Sequence, residues 1–168
     1  MTPPSAQLSV VAPTVNDDPD HALERLYRSE RTSMVRLAHL LTGSADVGEE
    51  LVHEAFLKVR RNWHAAVNPP AYLRTTVVNL CRSYHRTLAR QRDRIVAVPT
   101  AHLDPDIDEM WDALGGLNSR QRTALVLRYY EDLSVDEIAR LMDCRPGTVK
   151  SLIHRGLARL KETIDRDQ

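Results

Sequence analysis

The stretch LSVDEIARLMDCRPGTVKSLIHRGLARLK, Leu133 to Lys161, constrains the fold more than any other part of the 168-residue chain. Ser134 followed three residues later by Glu137 has the spacing of a capping box, which satisfies two orphan backbone donors reciprocally and starts a helix at Val135. Pro146 suits the first position of a second helix, because its ring fixes φ and its missing N–H would go unpaired there in any case. With the first helix running to Met142, only Asp143, Cys144 and Arg145 are left for the turn. Ala139 is small where the second helix must cross close above it. Asp143 stands where such turns often place glycine, and aspartate tolerates a left-handed backbone better than most residues. The predicted arrangement is a helix-turn-helix.

A helical wheel at about 100° per residue turns Val149, Ile153, Gly156 and Leu160 inward. Lys150, Ser151, His154 and Arg155 then point away, with Thr148 near the helix start and Arg145 just before it. These side chains can bond base edges and phosphates in a major groove. The simpler reading is a helical hairpin with a wet basic face. Leu152 falls at the edge of the proposed DNA face and fits it less well.

The rest of the chain is also helical in period. Leu23, Leu26, Tyr27, Met34, Leu37, Ala38 and Leu41 recur at steps of three and four, and Gly43 closes the run in the position after a helix end. Ser44 can cap a second helix through Trp63, with Val47, Leu51, Val52, Ala55, Phe56 and Val59 on one side and Asp46, Glu49, Glu50 and Glu54 on the others. Asn68-Pro69-Pro70 starts a third helix reaching about Arg92, with Leu73, Val77, Leu80, Cys81, Tyr84 and Leu88 inward. Arg82, Arg86 and Arg90 repeat every four residues as a basic stripe, beside Arg74 and Asn79. Residues 1–20 hold four prolines and no helical period, as a flexible tail would. No segment calls for a β-strand. The expected fold is all-α, two small helical domains over 21–93 and 112–165, joined by a flexible acidic linker at 94–111.

Charge sharpens this division. Lys+Arg and Asp+Glu number 23 each, yet residues 58–94 hold nine bases and one acid, while 95–118 hold five acids and no base. Such blocks fit a polyanion partner met by one block and kept away from, or mimicked by, another, and they also fit solvated helix faces. Two cysteines, Cys81 and Cys144, are too few for a disulfide framework and too far apart for a metal knuckle. Neither a membrane-length apolar run nor a signal pattern is visible, so a cytoplasmic protein with no membrane partner is expected.

Three segments in order, EELVHEAFLKV at Glu49 to Val59, NPPAYLRTTVVNLCRSYHR at Asn68 to Arg86, and LNSRQRTALVLRYYEDLSVDEIARLMDCRPGTVKSLIHRGLARLK at Leu117 to Lys161, resemble bacterial sigma factors of the extracytoplasmic-function (ECF) group, of the SigE-like actinobacterial type. The resemblance covers about residues 21–165. It implies that the first domain (sigma region 2) grips the β′ clamp helices of core RNA polymerase through Asp46, Glu49, Glu50 and Glu54, with Leu51 or Phe56 in the core. It implies that Arg61, Arg74, Asn79, Arg82 and Arg86 recognise and open the −10 element. Opening needs bases for phosphates, a polar group for a flipped base and a surface to replace lost stacking. Trp63 and Tyr72 could stack in this way or pack as core. The second domain (region 4) would place Arg145, Thr148, Lys150, Ser151, His154 and Arg155 at the −35 element and meet the β flap. The linker would thread toward the polymerase active site as an RNA-like surface, or serve only as a solvated tether. Promoter DNA is the expected ligand, an anti-sigma protein is a partner common in the family, and no cofactor or metal is expected. Activity would take place at the nucleoid. No further domain is expected after region 4.

The chain departs from the family pattern at Val47 and Gly48, which replace an acidic–alanine pair, at His53, where glutamine is frequent, and at Asn118, where proline is usual. A stand-alone regulator with the same helix-turn-helix is the main alternative, but it would need a receiver with alternating strands. An enzyme is disfavoured: Cys81 and His85 form the only close soft pair, and two ligands are too few for zinc. The segment from Asp104 is no calcium loop, since Glu109 and Gly115 stand where that loop needs glycine and glutamate.

Overall fold

The computed structural model describes residues 18–91 and 104–166. Among these residues the α-helices, in chain order, are α1 (Pro19–Thr42), α2 (Ala45–Arg61), α3 (Pro69–Arg90), α4 (Pro105–Ala113), α5 (Ser119–Leu125), α6 (Val135–Leu141) and α7 (Pro146–Arg166). No strand occurs among the described residues.

The first half is a three-helix bundle. Asp18 accepts from Asp20 N and Pro19 opens α1, so the last two residues of the expected tail are helical and Asp18 caps them, while residues 1–17 lie outside the described residues. Gly43 closes α1 in the left-handed region, its N–H bonded to His39 O at 2.8 Å. Ser44 then caps α2, which ends at Arg61, two residues earlier than expected, and a 3-10 turn carries Trp63–Ala65. Asn68 caps α3 by accepting from Ala71 N at 3.1 Å. Leu37, Leu40, Leu41, Val52, Val59, Leu73 and Val77 form the buried centre. Val78 is buried as well, a position the period did not assign, whereas Leu80, Tyr84 and Leu88 are only partly buried. His85 Nε2 reaches Leu41 O at 2.6 Å and ties α3 to α1.

Gly48 explains one of the sequence departures. A Cβ there would come within 3.2 Å of His39 N and 3.4 Å of the Ala38 Cβ, so glycine lets α2 lie tight against α1.

The second half packs α5, α6 and α7 around Leu125, Leu127, Ile138 and Val149. Asn118 and Gln121 form a capping box at the start of α5, so asparagine caps the position where proline was expected. Beyond Leu125 the helix widens into a π-type turn, Val126–Tyr130.

Of the acidic stretch expected as a flexible linker at 94–111, the described part, from Asp104 on, is helical. Asp104 caps α4 by accepting from Asp106 N, Pro105 opens it, and Ile107 is buried, while residues 92–103 lie outside the described residues. The four acids Asp106, Asp108, Glu109 and Asp112 thus fall on a helix that packs against α1, and Asp106 and Asp108 lie in its first turn, where the dipole favours them.

Candidate nucleic-acid interface

The helix-turn-helix forms as its sequence dictates. Ser134 Oγ accepts from Glu137 N at 3.2 Å, and the Glu137 carboxylate accepts from Ser134 N at 2.8 Å. These hydrogen bonds hold the Glu137 carboxyl below the usual carboxylate range. The turn is closed by Cys144 N donating to Ala139 O at 3.0 Å, and Asp143 takes φ 49°, the left-handed conformation foreseen for it. Gly156 lets α7 cross α5 closely: a Cβ there would meet Leu125 Cδ1 at 2.8 Å.

On the outer side of α7, Lys150, Ser151, His154 and Arg155 are exposed, as is Arg145 just before the helix; Thr148 is half-buried near the helix start, and Leu152 packs partly against the core. Ser151 Oγ donates back to Gly147 O at 3.0 Å, which leaves its oxygen lone pairs outward as acceptors. The helix presents four cations or hydrogen-bonding side chains within two turns, a width that suits a major groove.

The residues expected at the −10 element are divided. Arg61, Asn79 and Arg86 are exposed, Arg86 Nη2 donating to Ser83 Oγ at 2.9 Å. Arg74 and Arg82 are half-buried and engaged by the other half of the molecule: Arg74 Nε lies 2.7 Å from Glu131 Oε2, and Arg82 Nη1 donates to Leu141 O at 2.9 Å. Trp63 and Tyr72 pack against the core, partly buried. The basic stripe expected from four-residue spacing is therefore interrupted at Arg82.

On α2, Asp46, Glu49, Glu50 and Glu54 are all exposed. Glu49 is 3.6 Å from Arg31 and Glu54 is 3.0 Å from Lys58, both solvent-screened pairs of small energetic consequence. This acidic patch and the basic face of α7 belong to different halves.

Sequence reasoning missed how the halves meet. Arg36 pairs with Asp104 at 2.7 Å and His39 Nε2 is 3.5 Å from Asp108 Oδ1. Trp111 lies on Gly43, and the buried Arg122 guanidinium stacks 4.0 Å above the Trp111 ring while donating to Leu117 O at 3.0 Å. Burial lowers the Arg122 pKa. No period in a single helix encodes these contacts. Among the described residues no cluster of His, Cys, Asp and Glu could hold a metal ion, and no helix is long and apolar enough to cross a membrane.

Residues 26–91 match the family described as Sigma-70 region 2, and residues 107–160 match Sigma-70, region 4. The ECF RNA polymerase sigma factor EcfG of Rhodopseudomonas palustris is 32% identical over 145 residues, covering 79% of each chain. The RNA polymerase sigma-E factor of Streptomyces avermitilis is 27% identical over 84% of each. Among solved structures, the sigma factor RpoE of Bartonella quintana, in complex with the anti-sigma factor NepR, superposes with a TM-score of 0.72 at 24% identity, covering 88% of this chain and 99% of that one. CnrH, in complex with the cytosolic domain of CnrY, gives 0.66 at 19% identity, covering 89% and 91%. These two structures establish the likeness of fold.

Proposed function

The chain belongs to the ECF family of RNA polymerase sigma factors, and from that premise we propose how its surfaces divide the work of promoter-specific initiation. As an alternative sigma factor it joins core RNA polymerase and directs it to promoters through their −35 and −10 elements.

In this reading the working units are residues 21–93 and 112–165, with α4 as the structured end of the segment joining them. The start of α2 meets the β′ clamp helices through Asp46, Glu49, Glu50 and Glu54. The outer face of α7 enters the major groove of the −35 element through Arg145, Thr148, Lys150, Ser151, His154 and Arg155, and the same unit meets the β flap. Arg61, Arg74, Asn79, Arg82 and Arg86 engage the −10 element: the arginines hold phosphates and Asn79 receives an unstacked base. An anti-sigma protein is a further partner, and the site of action is the nucleoid.

The observation that carries this reading is the pairing of surfaces: an exposed acidic helix start in one unit and an exposed basic recognition helix in the other. A stand-alone regulator would use the second and leave the first without a role. Each unit alone offers a small interface, so free DNA affinity is low, and tethering both on polymerase raises the effective concentration of the second contact.

The test is single-round transcription with purified bacterial core polymerase on a promoter library, with and without this protein. Promoter-specific transcripts that depend on its addition are the expected result. If core fails to co-purify with the protein from the same reaction, the reading is wrong and a stand-alone regulator takes its place.

A further inference from the structure

Arginines from two distant helices converge on one cleft of about 330 Å³. Arg82 and Arg86 of α3 line it together with Ser119 and Arg120 of α5, and Asp143, in the turn before α7, is the single acid among its lining residues. Elsewhere in the fold arginines meet carboxylates, as Arg31 does Glu49, Arg36 does Asp104 and Arg74 does Glu131. Here they do not. Among the described residues Arg82 donates to Leu141 O, Arg86 donates to Ser83 Oγ, Arg120 makes no hydrogen bond, and no carboxylate pairs with any of the three. His85 also lines the cleft, its Nε2 already taken by Leu41 O. Like charges gathered on a low-dielectric wall repel one another and focus a positive potential into the space between them, which a bound anion relieves.

We propose that this cleft binds a small soluble polyphosphate, its phosphoryl oxygens shared between Arg86 and Arg120, with half-buried Arg82 as the third cation. The chemistry of the lining selects this class of ligand. Guanidinium forks match phosphoryl oxygens in pairs, and the Ser119 hydroxyl, which has no partner among the described residues, can donate to another. Three cations against one acid suit an anion of more than one charge. The volume falls within the roughly 300–1,000 Å³ of small-ligand sites, and a duplex, wider than its own major groove of about 12 Å, cannot enter it. Arg120 stands outside every DNA contact assigned above, so the site can be tested without touching them. It does not depend on the sigma-factor reading, and its failure is separate from the failure of that reading because binding is measured without polymerase.

The test is isothermal titration calorimetry of the full chain with sodium tripolyphosphate, ATP, citrate and a short mixed-sequence single strand at physiological salt. Tripolyphosphate should bind saturably at one site. Arg120→Ala should weaken it about tenfold or more, the loss expected for a hydrogen bond to a charged group. Arg60→Ala removes the same charge at an exposed position on α2 and should change it little. Arg120 is itself exposed, so the variant should keep its fold, which circular dichroism checks. Arg86→Ala and Arg120→Ala should combine non-additively, as two groups holding one anion do. ATP binding at least as tightly as tripolyphosphate would support a nucleotide as the source, and weaker ATP binding an inorganic chain. Equal losses in Arg120→Ala and Arg60→Ala would overturn the proposal, since the basic field alone would then explain binding. Citrate matching tripolyphosphate would overturn it as well, as would binding of the single strand alone, which would return the cleft to the −10 surface.

Discussion

Gly43 and Trp111 occupy adjoining space with no room for a methyl group between them. A Cβ on Gly43 would overlap the indole ring, lying 2.8 Å from Cε2, and Gly43 has φ 79°. One glycine thus ends α1 and forms the floor on which α4 docks.

Gly43→Ala should therefore be destabilising for two reasons. The left-handed backbone costs an L-residue about 1–2 kcal/mol, and displacement of Trp111 adds to this. Thermal unfolding should show a fall of several degrees. Gly147→Ala is the counterpart: nothing lies within 4 Å of its Cβ position, so stability should hold or rise by up to about 1 kcal/mol.

Arg155→Ala should weaken promoter use through the −35 element and leave core binding intact. Loss of a base contact would cost about 1–3 kcal/mol and relax sequence preference at one position, whereas loss of a phosphate contact would lower the salt slope by about 1. Transcription over a salt series, with core pull-down alongside, separates these results. A variant that no longer binds core contradicts the assignment.

For Asn79→Ala the defect should appear later in initiation. Closed complexes should form normally, while permanganate reactivity of the melted strand falls. Asn79 is exposed on α3, so its truncation should leave the melting temperature nearly unchanged. Normal reactivity would remove Asn79 from the opening step.

Acid should loosen the start of α6 through Glu137. Its folded pKa is depressed by hydrogen bonds from Ser134, so its stabilisation is fully present above the unfolded value of about 4.3 and is lost as pH falls through the folded value. Glutamine can fill the same capping position without titrating. The stability advantage of wild type over Glu137→Gln should therefore shrink as pH is lowered from about 5 to about 3, measured by urea unfolding at each pH.

Much of the architecture was written in local signals. Ser44, Asn68, Ser134 and Pro146 mark helix starts by their own hydrogen-bonding or φ preferences, and Asp143 marks the turn, so each could be read from a window of a few residues. The exposed face of α7 followed from the wheel because one side of that helix is covered by a single neighbouring layer. What escaped depends on distant partners. The acids of 104–112 look like a solvated tether until Arg36 and His39 of α1 are placed beside Asp104 and Asp108. Arg74 and Arg82 look like free cations until Glu131 and Leu141 arrive from more than fifty residues away. The widening at Val126–Tyr130 had no signal that the helical period registers.

Helix α4 shares side chains with both cores: Ile107 and Trp111 lie toward α1, and Arg122 of α5 rests on the same indole. Synthesis runs in one direction, so the residues of α1 to α3 leave the ribosome before Trp111 does, and Arg122 emerges after it. The order of events is then set by the chain itself. In that order of emergence the first bundle is free to form first, the seat at Gly43 is then ready for α4, and the last three helices meet a surface that already exists.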